Sequence, residues 1–265
     1  MDLGLTGKIA LVTGSSRGIG LATALGFARE GAAIALSGRD PAALAKAADA
    51  LRTTGARFAL CPGDVTRPDD AARIVGTCVA QLGAIDVVVN NVGGSGGGRR
   101  VLDSTDDDWR NVLEINLLQT VRMMRLAAPH MAGRAGASIV NVSSISGWAP
   151  QLVGSGQYGA AKAALIFDAE RWALEFVPQG IRVNTVSPGS ILFAGGGWDR
   201  YRQASAENFD DYVKQGFPMG RLGKPEEVAD VIVFLSSPRA HWINGRNVAV
   251  DGLEQPYAPR DRRPF

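Results

Sequence analysis

Short runs of aliphatic and β-branched residues alternate along this chain with longer stretches of helical character, and the alternation continues almost to its end. The apolar runs predict strands at 8–13, 33–37, 57–61, 85–90, 138–142, 182–187 and 247–250. Most are continuous rather than alternating, the pattern of parallel strands covered on both faces. The segments between them carry helix punctuation. Asp40 stands ready to cap a helix with Pro41 at its first position, and Pro225 opens another with Glu226 and Glu227 in its positive first turn. Gly31, Gly55 and Gly83 fall where helices should stop. Two longer helices are expected at 109–131 and 155–177. Regular strand-then-helix alternation defines an α/β fold with a doubly wound parallel sheet of about seven strands. No repeat or low-complexity linker divides the chain, so residues 1–265 read as one domain. The run Gly93-Gly94-Ser95-Gly96-Gly97-Gly98 resembles a linker by composition, yet its place after the fourth strand makes it a loop where ligands approach an open sheet.

Two motifs bring chemistry to this frame. Thr13-Gly14-Ser15-Ser16-Arg17-Gly18-Ile19-Gly20 follows the first strand and leads into a helix. Gly14 permits the tight turn, Gly18 lets the backbone approach phosphates, and Gly20 lets helix and strand pack closely. The result is a pyrophosphate seat at a helix N-terminus, as in a Rossmann-type sheet, although the glycine spacing differs from the usual one. Far downstream stands Tyr158-Gly159-Ala160-Ala161-Lys162. A tyrosine and a lysine four apart share one helix face, so both can reach one reacting oxygen. Neither motif carries a function alone; together they point to hydride transfer to or from a carbonyl carbon.

Bulk properties narrow the field without redirecting it. The 28 basic and 26 acidic residues nearly balance, with no basic stripe, which argues against nucleic acid as a partner. Cys61 and Cys78 form neither a metal-ligand spacing nor a disulfide framework, so no metal is expected and a reducing cytoplasm is the natural setting. The N-terminus runs into a strand rather than a signal peptide, and no apolar run reaches the ~18 residues of a membrane span.

Cofactor type is legible at the end of the second strand. A site for NAD wants an acid there to accept from the ribose 2′-hydroxyl. The chain reads Leu36-Ser37-Gly38-Arg39-Asp40, with no carboxylate at Gly38 and a guanidinium next to it. A 2′-phosphate carries close to two negative charges and suits that group, so NADP is favoured over NAD. Arg17 offers a second cation from the glycine loop. The plainer alternative makes Arg39 a solvated residue and Asp40 only a cap.

These residues resemble the short-chain dehydrogenase/reductases, and the likeness runs from Gly7 to Gly252. The chain looks like the shorter, single-domain subgroup, which includes 3-oxoacyl-acyl-carrier-protein reductases and many sugar, steroid and small-ketone dehydrogenases. Besides the glycine motif, Asp64-Val65 resembles the family's adenine-binding aspartate. Asn90-Asn91-Val92-Gly93 is similar to its Asn-Asn-Ala-Gly, and Asn116 in Ile115-Asn116-Leu117 occupies the position of its structural and catalytic asparagine. Ser143-Ser144-Ile145-Ser146-Gly147 resembles the segment that holds the family's catalytic serine, which is assigned to Ser144; Ser143 and Ser146 are the alternatives, although neighbours on a strand point to opposite faces. Pro188-Gly189 with Ile191 resembles the turn beside the nicotinamide. The run from Gly220 to Ala229 matches the entry to the last long helix. The resemblance implies a cofactor site made of Gly14, Ser16, Arg17, Gly18, Ile19, Gly20, Arg39, Asp64, Val65, Asn91, Gly93, Tyr158, Lys162, Pro188, Gly189 and Ile191.

It also implies a mechanism in which Tyr158 is the acid in reduction and the base in oxidation. Ser144 would hydrogen-bond the substrate oxygen, Lys162 would bind the nicotinamide ribose, and Asn116 would hold a water linking Lys162 to solvent. A free tyrosine titrates near ~10. Lowering it by roughly three units needs about 4 kcal/mol, which an ammonium ~4 Å away at an effective dielectric near 20 can supply. His130 and His241 fit no catalytic pattern and read as structural.

The substrate region is expected at 191–217, a lid carrying Phe193, Trp198, Tyr201, Phe209, Tyr212 and Phe217 with Gly195-Gly196-Gly197 as a hinge. Phe193 stands where the family often keeps a threonine that contacts the nicotinamide amide. Trp148, Pro150, Leu152 and Val153 lie on the loop between the catalytic serine and tyrosine. Ser144, Trp148, Phe193 and Trp198 are the expected substrate residues, and they suggest an apolar or aromatic carbonyl compound. In the alternative, the lid aromatics merely pack its helices to the body. Three further readings stay open: an NAD-dependent alcohol or sugar dehydrogenase, a 3-oxoacyl thioester reductase, and a non-catalytic NADP-binding protein. An epimerase or dehydratase of the larger family also stays open, since it too uses Tyr-x-x-x-Lys, although it usually has a different glycine spacing and a longer C-terminal domain. Relatives of this size are commonly tetramers, so a D2 homotetramer is expected, assembled through the two long helices, the last strand and the proline-bearing tail at 254–265.

Overall fold

A computed structural model of the chain describes residues 1–150 and 156–254. Leu152, Val153, Ser155 and the tail beyond Glu254 therefore lie outside the described residues. Seven parallel strands form one sheet: β1 (Ile9–Val12), β2 (Ala33–Gly38), β3 (Phe58–Pro62), β4 (Val87–Asn90), β5 (Ser138–Val142), β6 (Arg182–Pro188) and β7 (Asn247–Val250). Their spatial order is β3-β2-β1-β4-β5-β6-β7. All seven expected strands are present; β5 and β7 have the expected bounds and the others are shifted by one or two residues at one or both ends.

The continuous apolar runs have the reason expected of them. In β1, Ile9 and Leu11 join a core on one face of the sheet while Ala10 and Val12 join the core on the other. In β4, Val88 belongs to the first core and Val87 and Val89 to the second. Helices α1 (Gly18–Arg29), α2 (Pro41–Arg52) and α10 (Pro225–Ser236) contribute to the second core. Helices α3 (Pro68–Leu82), α5 (Gln119–Met131) and α7 (Ala169–Phe176) contribute to the first. Removing side chains such as Leu11, Ile34, Phe27 and Ile139 from water is worth about 1.5–3 kcal/mol each, and it fixes the sheet as the rigid base of the site.

Helix ends follow the sequence signals. Asp40 accepts from the Ala42 amide at 2.9 Å ahead of Pro41, and Gly31, Gly55 and Gly83 all have positive φ. The two long helices depart from the simple pattern. The first begins early, at Asp106 in α4 (Asp106–Leu113), behind a capping box between Thr105 and Asp108. It then passes through a single π-turn, Glu114–Leu118, before continuing as α5. The second breaks at Asp168 between α6 (Gly156–Phe167) and α7. Helices α8 (Gly197–Ala204) and α9 (Ala206–Gly216) form the segment after β6.

Candidate active site

At the carboxyl ends of the strands the chain leaves β1 on one side and β4 on the other, and this reversal opens a crevice. The crevice is a cleft of about 760 Å³ into which every strand delivers residues. It is lined by Gly14, Ser16, Arg17 and Ile19 after β1, and by Arg39 after β2. Asp64 and Val65 follow β3, Asn91 and Gly93 follow β4, and Ser144 follows β5. Pro188, Gly189 and Ile191 extend from the end of β6. Tyr158 and Lys162 line it from α6, and Phe193 and Trp198 from the lid segment. The sequence-expected residues are thus brought to one place, with three qualifications. Gly18 and Gly20 lie in the first turn of α1 and outside the lining, Asn116 is fully buried behind it, and Trp148 is 42% exposed and not among the lining residues.

The reversal is stitched by Asn91. Its side-chain amide donates to the carbonyls of Thr13 (2.9 Å) and Gly14 (3.2 Å), while its backbone N–H donates to Thr13 Oγ1 at 3.0 Å. This locks the glycine loop to β4. Helix α1 carries no acid in its first turn, so its positive end stays available to phosphate. At the far end of the cleft the Arg39 guanidinium stands 3.8 Å from the Asp64 carboxylate and is largely exposed. Arg17 donates instead to the Gly195 carbonyl of the lid, at 3.2 Å.

The other end of the cleft holds the reactive side chains. Ser143 and Ser144 do point apart. Ser143 is buried and donates to the Lys162 carbonyl at 2.8 Å, whereas Ser144 hydrogen-bonds Tyr158 and accepts from the Ser146 amide at 3.1 Å. Lys162 is 2% exposed; its ammonium donates to the Val142 carbonyl at 2.8 Å and stands 5.6 Å from the centre of the Tyr158 ring. Asn116 sits in the π-turn, fully buried. Its amide donates to the carbonyls of Gly94 (2.8 Å) and Val112 (2.9 Å), and its oxygen accepts from the Gly94 amide at 3.0 Å. Gly93 is glycine of necessity. A β-carbon there would lie 2.8 Å from Asn116 Oδ1 and 2.9 Å from Lys162 Nζ, prising the two apart.

Electrostatics here differ from the expectation of an acidified tyrosine. Burial pushes the Tyr158 phenol above its usual range, and the Ser144 hydrogen bond pulls it only partly back. Burial also brings Lys162 down to about 7. The reason is geometric. The ammonium is turned to a backbone carbonyl and faces the phenol ring, Lys162 has lost its water, and the half-buried phenol has lost part of its own. The phenol is therefore held protonated, which is the state that carbonyl reduction needs. Cys61 and Cys78 are free and buried, and burial pushes both thiols up to about 12, so neither is a nucleophile.

The segment after β6 decides between the two readings of its aromatics. Tyr201, Phe209, Tyr212 and Phe217 pack on one another and on Trp198, with ring centres 5.7–6.3 Å apart in the Trp198 contacts. Phe209, Val213, Phe217 and Leu222 close a small core of their own. Packing explains these aromatics, leaving Trp198 and Phe193 at the cleft. Phe193 lies with its ring over Gly18, 2.8 Å from where a β-carbon would stand, and so covers the glycine loop. Sequence reasoning missed Glu254, which lines the cleft from beyond β7, and Ser190 beside it. A lone acid after the last strand gave no signal of its own. Among the described residues no group of three or more His, Cys, Asp or Glu is placed to hold a metal ion, and no helix is long and apolar enough to cross a membrane.

A dinucleotide seat that opens onto a Ser–Tyr–Lys set defines a nicotinamide-dependent oxidoreductase, and the comparisons agree. A family profile described as enoyl-(acyl carrier protein) reductase matches residues 14–252. The chain is 35% identical over 251 residues to a 3-oxoacyl-[acyl-carrier-protein] reductase of Thermotoga maritima, covering 94% of this chain and 98% of that protein. The structure superposes on L-sorbose reductase from Gluconobacter frateurii complexed with NADPH and L-sorbose, with a TM-score of 0.88 and 34% identity over 95% of this chain and 98% of that one. It superposes also on a 7α-hydroxysteroid dehydrogenase complexed with NADH and 7-oxo glycochenodeoxycholic acid, with a TM-score of 0.86 and 29% identity over 95% of each chain. The chain belongs to the short-chain dehydrogenase/reductase family.

Proposed function

We propose that this enzyme interconverts a ketone and a secondary alcohol with NADP(H), acting on an apolar or aromatic carbonyl compound. The observation that carries the reading is the hydrogen-bonded Ser144–Tyr158 pair beside buried Lys162, at one end of a cleft whose other end is the glycine loop and Arg39. The cleft that runs from Arg39 and the glycine loop past Asn91 and Gly93 to Tyr158 fits a dinucleotide, which when bound supplies or accepts the hydride. Gly14, Ser16, Gly18, Ile19 and Gly20 would hold its phosphates, Asp64 and Val65 its adenine, and Asn91, Gly93, Pro188, Gly189 and Ile191 its nicotinamide half. Ser144 would fix the substrate oxygen by hydrogen bonding, and Tyr158 would deliver a proton to it as negative charge builds there. Asn116 would hold a water linking Lys162 to solvent, and Lys162 would bind the nicotinamide ribose.

Oxidation of NADPH across ketones, quinones, β-keto thioesters and sugars tests the reading. Turnover on apolar ketones supports it, and turnover confined to sugars or to β-keto thioesters replaces its substrate. The second reading, a 3-oxoacyl thioester reductase, draws support from the Thermotoga relative. Absence of all turnover would leave only dinucleotide binding.

Preference for NADP rests on Arg39. Replacing it with aspartate removes a partner for the 2′-phosphate and adds a repelling carboxylate. The ratio of kcat/KM for NADPH to that for NADH should fall by about tenfold or more in Arg39→Asp. Wild-type enzyme that already uses NADH the more efficiently would refute the assignment.

Assembly is proposed as a D2 homotetramer in a reducing cytoplasm. Support comes from exposed apolar side chains: Phe167 (84% exposed) on α6, Leu174 on α7, Val177 just after it, and Trp242 before β7. Light scattering at micromolar concentration should give four times the 27.9 kDa chain. A monomer would refute this, and a dimer would leave one interface.

A further inference from the structure

The strand ends β6 and β7 lie side by side, with Pro188 paired to Val250. The turn after β6 continues past Ser143, whose amide donates to Val186 at 2.7 Å, so it borders the loop that carries Ser144. One carboxylate grips this turn. Glu254, 3% exposed, accepts from the Ser190 amide at 2.7 Å through Oε2 and from the Ser190 hydroxyl at 2.8 Å through Oε1. Gly189 makes room for it, since a β-carbon there would stand 2.7 Å from Glu254 Oε2 and 2.9 Å from Asp251 Cα. The Gly189 amide donates to the Val250 carbonyl at 3.0 Å, closing the contact from the backbone side.

The chain accepts strain to aim this side chain inward. Among the described residues Leu253 is the non-glycine residue with positive φ, at 61°, directly after Gly252 at 58°. A left-handed leucine is costly, and its own side chain is mostly exposed, so no burial of Leu253 compensates. What the left-handed pair achieves is to turn the chain beyond β7 so that Glu254 enters the cleft. On the opposite flank, Ser190 and Leu192 exchange backbone hydrogen bonds with Gly223, each at 2.9 Å. Residues 188–192 are therefore held from two sides, and the lid begins where they end.

We infer that Glu254 is a positioning residue for the nicotinamide half of the cofactor, clamping the Pro188–Ser190 turn from beyond β7. The inference rests on the cofactor placement proposed above. Dinucleotide that ends at this turn should sense the clamp, whereas its adenosine half, bound between the glycine loop, Arg39 and Asp64, should not.

The test compares binding of NADPH or NADH, whichever wild type binds the more tightly, with binding of the matching adenosine half, 2′,5′-ADP or 5′-AMP. Calorimetric titration of Glu254→Ala should show about tenfold weaker dinucleotide binding, from two lost charge-assisted hydrogen bonds, with the half-cofactor unchanged within about twofold. Glu254→Gln keeps an acceptor for the Ser190 amide and should recover most of the affinity. Ser190→Ala, which removes only the hydroxyl, should lose about threefold and serves if Glu254→Ala does not fold. Unchanged dinucleotide affinity in Glu254→Ala, or in Ser190→Ala should it have to stand in, overturns the proposal. Equal losses for the dinucleotide and its half also overturn it, because they would mark a general structural role. Wild-type protein that binds no dinucleotide defeats the underlying reading instead.

Discussion

Tyr158→Phe should lower carbonyl reduction by at least about 10²-fold while leaving dinucleotide affinity within a few-fold of wild type. The phenol is the proposed proton donor at the cleft end, and phenylalanine keeps its ring and packing. The hydroxyl that disappears hydrogen-bonds Ser144, and Ser144 retains the Ser146 amide as a donor at 3.1 Å, so the serine loop stays in place. Burial holds the phenol protonated, so reduction should persist across the neutral range, while oxidation, which needs phenolate, should rise as the medium becomes alkaline. Steady-state rates with any accepted ketone and a parallel cofactor titration provide the measurement. A variant that keeps more than a tenth of the wild-type rate would sink the assignment of Tyr158. One that loses cofactor binding in proportion would show that the ring, not the proton, matters.

Much of this arrangement is legible in the residue pattern because parallel strands leave a simple trace. β1 buries Ile9 and Leu11 on one side and Ala10 and Val12 on the other, so its apolar run could not alternate. The glycine loop, Asn91 and the Tyr158–Lys162 pair announce themselves because each must be one residue type at one spacing. What stayed hidden depends on contacts between distant segments. The π-turn at Asn116 is a backbone adjustment inside an otherwise helical pattern, and it leaves no periodicity of its own. The break at Asp168 is equally silent. The aromatic content of the lid suggested a pocket, but Tyr212 and Phe217 are spent on packing with Trp198. Ring count cannot tell a wall from a core. Glu254 carries the same lesson: its role comes from lying against Gly189, a neighbour 65 positions earlier, through the β6–β7 pairing.

The tyrosine's electrostatics show where reasoning from spacing alone falls short. A lysine one helical turn away suggests a depressed phenol pKa, but that holds only if the ammonium faces the phenol oxygen and stays charged. Here it hydrogen-bonds the Val142 carbonyl, faces the ring, and is itself brought to about 7. The site is a buried cation held against its own preference, and such strain belongs to function rather than to stability.

Lys162→Met should accordingly do two opposite things. Activity should fall by at least tenfold, because the residue proposed to hold the ribose beside Tyr158 is gone. Stability at pH 6 should rise. The shift from 10.5 to about 7 corresponds to a cost of ~5 kcal/mol for keeping the buried ammonium charged, at ~1.36 kcal/mol per unit. The methionine forfeits the hydrogen bond to Val142 and the contact with the Tyr158 ring, together worth about 2–3 kcal/mol. A net gain of about 2 kcal/mol remains, roughly 4–8 °C in Tm for a chain of this size. The pH dependence identifies the cause. Below pH 7 the lysine is protonated in both folded and unfolded chains, and wild type bears the full cost. Between about 7 and 10.5 only the unfolded chain holds the proton, so wild-type stability climbs relative to the variant with rising pH. The advantage of Lys162→Met should therefore shrink to nothing near pH 9 by calorimetry without cofactor. A variant less stable than wild type at pH 6, or a difference that does not change with pH, would mean that Lys162 is not carried as a buried charge.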